Sequence, residues 1–263
     1  MNNLYINREK AVKAFADYVA NYNAEDEKVK LKIEHTYRVV ALCEKIAESL
    51  ELTSEDVDFA WFTGLLHDVG RFEQLKNYGT FNDAQSIDHA LYGAKILFDD
   101  GRIEDYTVTP LDNEQKEFLR KVLSCHSAYR IPEDYSKREK MFADILRDAD
   151  KIDILKVNVD VPLEEIYNVT SKELRTSEVT EAVMENFKEK RATPRALKRT
   201  PVDNVVGHIS LVYELVYPIS LKIVEEQGYL DKLLRFKSDN PKTMEQFQRL
   251  RIMMEAYMEQ KNI

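Results

Sequence analysis

Glycine and proline are scarce in this sequence, seven of each in 263 residues. A sheet-rich fold with many tight turns draws heavily on both, so long runs without either point to helices. Cysteine is scarcer: Cys43 and Cys125 are the two, set in apolar helical contexts with no CxxC pattern, which favours reduced, buried thiols over a disulfide. Apolar runs long enough to span a bilayer are missing. The opening residues, Met1-Asn2-Asn3-Leu4-Tyr5, lack the basic start and apolar run of a secretory leader, and the expected compartment is the cytoplasm. Positive charge is in deficit, with a formal net charge of −9. That argues against a general nucleic-acid-binding surface, but not against a small anionic substrate held where local charge opposes the global sign.

What is present reads as a chain of amphipathic helices, without internal repeats or low-complexity stretches. Arg8 to Asn21 carries Val12, Phe15, Ala16 and Val19 at helical spacing. A helix from about Val29 to Leu50 follows, with Leu31, His35, Val39, Leu42 and Ile46 on one stripe, which turns His35 inward. Leu52-Thr53-Ser54-Glu55-Asp56 reads as a turn and N-cap. One helical segment is then predicted from about Glu55 to Gln74, through Leu65-Leu66-His67-Asp68-Val69-Gly70-Arg71. Gly64 lets another element or a ligand approach closely, and Gly70 ends or loosens the helix just past the pair. After a loop through Asn77–Asp83, Ser86 is the expected N-cap of a helix from Ile87 to Phe98, with His89 in its first turn. Asp112-Asn113-Glu114 starts a helix in which Leu119, Val122, Leu123 and His126 share a face. Lys140 to Asn158 is helical and sets Asp150 among Ala143, Leu146 and Ile154. Beyond it come a short helix capped by Ser177-Glu178, a basic loop from Lys188 to Pro201, a segment from Val202 to Gln227 that Pro218 kinks or splits, and a closing helix from Thr243 to Gln260.

The polar residues at inward positions are His35, His67, Asp68, His89, His126 and Asp150. A buried carboxylate is expensive unless a cation or hydrogen bonds compensate it. Imidazoles and carboxylates together are ligands suited to divalent ions. A lone inward histidine is more often a packed core residue. Four of the five histidines joined by two carboxylates favour a metal site. Adjacent residues on a helix point about 100° apart, so His67 and Asp68 share one ion only near the helix surface, or Asp68 bridges two.

The ordered pattern His35, His67-Asp68, His89, His126, Asp150 resembles the HD-domain superfamily of metal-dependent phosphohydrolases, over roughly Lys30 to Asp160. Its most specific parts are Leu-Leu-His-Asp-Val-Gly-Arg and the Arg-Asp-Ala-Asp-Lys-Ile-Asp that begins at Arg147. The resemblance implies an all-α helical bundle, here assigned to residues 1–160; residues 161–263 read as a C-terminal helical extension packed on the same domain, whose helices complete the core, build a dimer interface or cap the pocket. It implies that His35, His67, Asp68 and Asp150 bind a first metal. His89 and His126 match the extra histidines of dinuclear members, in which the motif aspartate bridges both ions. One or two divalent ions (Mn, Fe, Mg, Zn, Co or Ni) would then activate a water, and the hydroxide would cleave a small phosphate ester or nucleotide. Arg71 is the candidate cation for the phosphoryl oxygens, with a structural salt bridge to Glu73 or Asp68 the equal alternative. Some mononuclear members carry an acidic residue at that position; this sequence departs from them, which leaves the general acid unassigned.

Two other readings stay open. Some dinuclear HD proteins are mixed-valent di-iron oxygenases with the same ligand set, and a non-catalytic nucleotide sensor would use the site only for binding. Lys151 and Asp153 read as helix-surface charges, His208 as an ordinary packed or surface histidine, and the Lys188–Arg199 loop as solvated rather than as a lid. The Tyr78–Asp83 loop either lines the pocket or merely connects. A homo-oligomer is compatible with all of this.

Overall fold

The computed structural model describes residues 4–261, so the reading of Met1, Asn2 and Asn3 as free of a leader lies outside the described residues. Among the described residues the regular structure is helical and no strand occurs: the fold is all-α. Among the described residues no helix is long and apolar enough to cross a membrane. The chain divides into two compact units, Met1–Ala149 and Asp150–Ile263.

The first unit opens with α1 (Arg8–Val19), where Asn7 accepts from the Lys10 N–H, and α2 (Glu27–Ser49), where Asp26 accepts from Lys28. Such caps satisfy backbone donors that the first turn leaves without partners. Thr53 caps α3 (Ser54–Leu66), in which every residue from Phe59 to Leu66 is buried. A Cβ at Gly64 would lie 3.0 Å from the Val40 Cα, so the glycine lets α2 and α3 pack almost backbone to backbone. Next come α4 (Val69–Tyr78), which ends on left-handed Gly79, α5 (His89–Ala94), α6 (Ile103–Tyr106), α7 (Asn113–Ser124) and the start of α8 (Lys137–Asp160). Phe15, Phe62, Phe72 and Phe142 are fully buried, each contributing about 1.5–3 kcal/mol of apolar burial. Phe72 meets Phe15 edge-on at 6.0 Å, and Phe59 meets Phe142 at 4.6 Å. Cys43 and Cys125 are buried free thiols.

Three local expectations are corrected in this unit. The single helix expected from Glu55 to Gln74 is two, because the backbone breaks at His67-Asp68, and Gly70 lies inside α4 rather than ending a helix. The cap of α5 is Asp88, whose side chain accepts from the Ala90 and Leu91 N–H groups, and not Ser86; beyond Ala94 the helix loosens into a π turn, Lys95–Asp99. His126 lies in the turn after α7 rather than on its face.

The second unit continues α8 and adds α9 (Leu163–Tyr167), α10 (Ser171–Thr176), α11 (Glu181–Lys188), α12 (Pro201–Ile209), α13 (Pro218–Gln227), α14 (Tyr229–Leu234) and α15 (Pro241–Lys261). Pro218 splits its segment outright, as the first residue of α13, where its missing N–H has no helical partner to lose. The basic loop holds only a 3-10 turn, Arg195–Leu197. Phe187, Val205, Val206, Ile209 and Leu250 are fully buried. Asp203, also buried, accepts from the N–H groups of Thr180, Arg199 and Thr200 and from the Thr180 hydroxyl, at 2.6–2.9 Å. Lys151 and Asp153 are buried rather than on the surface, and Lys151 pairs with Glu214 at 3.0 Å.

Candidate metal centre

Helix α3 stops at Leu66 and α4 starts at Val69, which leaves His67 and Asp68 at a corner. Asp68 has φ −104° and ψ 15°, the sparsely occupied bridge region. The corner removes the constraint that adjacent residues of one helix diverge. Both side chains turn inward, each 2% exposed, with His67 Nε2 3.4 Å from Asp68 Oδ2. Gly70 holds the corner against α5: a Cβ there would lie 2.2 Å from the His89 carbonyl oxygen.

The imidazoles are aimed by what their Nδ1 atoms touch. His67 Nδ1 donates to the Gly64 carbonyl and His126 Nδ1 to the Leu123 carbonyl, both at 2.7 Å. A carbonyl can only accept, so Nδ1 carries the hydrogen and Nε2 keeps its lone pair. His89 Nδ1 sits 2.7 Å from Asp83 Oδ2, the carboxylate–histidine arrangement that fixes the tautomer of metal-binding rings. The Nε2 atoms then converge, His67 on His35 at 3.3 Å and His89 on His126 at 2.9 Å. In the second pair, two lone pairs meet in a buried space. That is unfavourable without a cation between them, so the donor set fits a metal.

Asp68 lies between the two pairs. Its Oδ2 is 3.5 Å from His35 Nε2 and 3.4 Å from His67 Nε2. Its Oδ1 is 3.5 Å from His89 Nε2 and 3.9 Å from His126 Nε2. Two groups of ligand atoms, His35–His67–Asp150 and Asp68–His89–His126, each lie within 4.8 Å and are capable of holding an ion. Asp150 is the next residue of the unbroken α8 after Ala149. A third such group, Asp83–Asp88–His89, already has structural work, since Asp88 caps α5 and Asp83 supports His89. Burial opposes ionisation of Asp68, but the Lys32 ammonium holds its carboxyl well below the usual carboxylate range. Burial, followed by the Arg71 charge, lowers the pKa of His89 against the pull of Asp83, which suits a neutral ligand.

Arg71 Nη1 donates to Asp83 Oδ1, the Phe81 carbonyl and Gln74 Oε1, each at 2.7 Å. Its Nε is buried without a hydrogen-bond partner, 3.7 Å from Asp68 Oδ1. Glu73 is not its partner; that carboxylate accepts from Tyr22 and Lys76 at 2.8 and 3.2 Å. The Tyr78–Asp83 loop therefore lines the centre, returning Phe81 and Asp83 to it. Asp83, like Asp68, is held below the usual carboxylate range: burial works against this, and His89 and Arg71 outweigh it. His208 belongs to the second unit, stacked on Tyr167 at 5.6 Å and hydrogen-bonded to its hydroxyl at 2.8 Å.

Sequence reasoning missed Lys32, Gln74 and Asp83. Lys32 Nζ lies 2.7 Å from Asp68 Oδ2, and its place one helical turn before His35 was a usable signal. Asp83 and Gln74 act through a loop closure that no spacing reveals.

Comparison with curated proteins and with solved structures gives no match. Residues 33–158 match the family model of the HD domain. That span contains every residue of the two histidine–aspartate groups, and the stretch from 33 to 158 of this all-α chain is an HD domain.

Proposed function

We propose that this protein hydrolyses a small phosphate ester, a nucleotide among the candidates, with one or two divalent ions held by His35, His67, Asp68, His89, His126 and Asp150. The observation that carries the reading is the division of the Asp68 carboxylate, one oxygen toward His35 and His67 and the other toward His89 and His126. Held by these residues, divalent ions would supply an acidified water as nucleophile and positive charge for the phosphoryl oxygens.

The chain's own residues do the rest. Gly64 and Leu123 carbonyls and the Asp83 carboxylate hold three imidazoles with Nε2 turned inward. Asp83 also orients Arg71, whose buried Nε is available to an anion arriving at Asp68. Burial of the ligands excludes bulk water and strengthens each charge interaction inside. Against a chain with net charge −9, the local cations Lys32 and Arg71 offset the repulsion that a phosphate would meet. Two reduced, buried thiols suit a reducing compartment such as the cytoplasm.

Elemental analysis of the purified protein, with a phosphate-ester screen in added Mn, Mg, Co or Zn, tests this reading. Phosphate release that Asp68→Ala abolishes together with metal binding is the expected result. Full activity in that variant would overturn the model, and bound iron with dioxygen-dependent turnover would establish the oxygenase reading in its place.

A further inference from the structure

Lys32 brings a positive charge to the carboxylate between the two histidine pairs. Its Nζ lies 2.7 Å from Asp68 Oδ2, with side-chain exposures of 17% for the lysine and 3% for the aspartate. The same ammonium lies over the Phe81 ring, 5.4 Å from its centroid, and the Arg71 guanidinium lies over that ring at 5.8 Å. Two cations thus converge on one aromatic ring and on one carboxylate, Lys32 at Oδ2 and Arg71 Nε at Oδ1.

A purely structural counter-ion pairs with a group that stays anionic and available. Asp68 does not remain available once divalent ions take its lone pairs. An ion drawn to His35 and His67 competes with Lys32 for Oδ2 and repels its ammonium. Arg71 cannot replace it freely, because Nη1 is engaged by three oxygens. Lysine is a point charge on a flexible four-carbon stem with rotatable donors, so it can turn to the next anion at hand while its ammonium stays near Phe81.

Resting on the phosphohydrolase reading, we propose that Lys32 is a substrate-phosphate ligand, paired with Asp68 until metal arrives and then handed to a phosphoryl oxygen beside Arg71. The hand-over ties the anion site to metal loading: with Asp68 uncompensated by metal, the lysine is occupied and phosphate is bound weakly.

Calorimetric titration of inorganic phosphate into the Mn-loaded protein, and of Mn into the metal-stripped protein, separates this role from a structural one. Lys32→Met is expected to weaken phosphate binding about tenfold or more, the scale of one charge-assisted hydrogen bond. Lys32→Arg is expected to stay within a few-fold of wild type. Mn should bind Lys32→Met at least as tightly as wild type, because a competing cation is gone. Unchanged phosphate affinity in a Lys32→Met protein that melts like wild type overturns the proposal. So does a parallel fall in Mn affinity, which would make Lys32 a residue that positions Asp68. If the wild-type protein binds Mn but neither binds phosphate nor hydrolyses any phosphate ester, the phosphohydrolase reading itself fails, independently of Lys32.

Discussion

Gly70→Ala probes whether the centre depends on backbone contact between α4 and α5. An ideal Cβ at position 70 falls 2.2 Å from the His89 carbonyl oxygen and 2.6 Å from the Gly93 nitrogen. Ordinary contact distances begin near 3.5 Å, so α5 would have to retreat by about 1 Å. Both neighbours are backbone, and no rotamer change relieves the clash. Overpacking of this kind costs about 1–3 kcal/mol, and a site without side-chain relief belongs at the upper end. Alanine returns up to about 1 kcal/mol of helix propensity, leaving a net loss of about 2 kcal/mol. That corresponds to a melting temperature lower by about 4–8 °C for a domain of this size. The displaced helix also carries His89 away from His126 and Asp68, so the variant should hold less metal per chain. Thermal melts followed by circular dichroism, with metal-to-protein ratios after Mn loading, measure both effects. Gly79→Ala is the control: Gly79 caps the end of the same helix with left-handed φ 68° and nothing within 4 Å of its Cβ, so the variant should lose about 1 kcal/mol from backbone strain alone and keep its metal. A Gly70→Ala protein that melts like wild type with full metal content would refute the reasoning.

Three further outcomes are expected. Asp83→Asn removes the charge behind His89 Nδ1 and should weaken the ion proposed at Asp68, His89 and His126 about tenfold, the lower end for such supporting partners; equal Mn isotherms for variant and wild type would contradict it. Both cysteines are buried and burial pushes the Cys125 thiol up to about 11, so a thiol reagent at mildly alkaline pH should label neither until denaturant is added; rapid labelling of the native protein would show that the packing is wrong. Burial, then the Lys198 charge, pushes His208 down to about 3 from 6.5. Because the folded value lies below the unfolded one, the neutral ring's contribution is complete above about pH 6.5 and is lost as pH falls toward 3. His208→Gln should therefore flatten the fall of the urea midpoint between neutral and acid pH, and an unchanged slope would count against that assignment.

Helix content and the principal inward faces were legible in the sequence because they rest on local physics. Few glycines and prolines, apolar residues at helical spacing and caps such as Asp112 leave the backbone little alternative to helices. His35 and Asp150 could be placed on faces of long helices for the same reason. The identities of the six candidate ligands, and the likeness to HD domains, also came from the order of residues along the chain. Local rules failed at His67-Asp68, where apolar neighbours on both sides resemble a continuing helix. Nothing nearby in sequence announces that the chain turns there.

The sequence by itself therefore determined the helices, the buried thiols and the residues suited to divalent ions. Only the tertiary structure decided that α3 ends before the pair, that Asp68 presents one oxygen to each pair of histidines, and that Asp83 and Lys32 attend the centre. The reason is the range of the forces involved. Propensity, capping and hydrophobic spacing act over a few residues, whereas the 2.7 Å pairing of Lys32 with Asp68 spans 36 positions and the 2.9 Å approach of His89 to His126 spans 37. Such contacts exist only after the helices have packed.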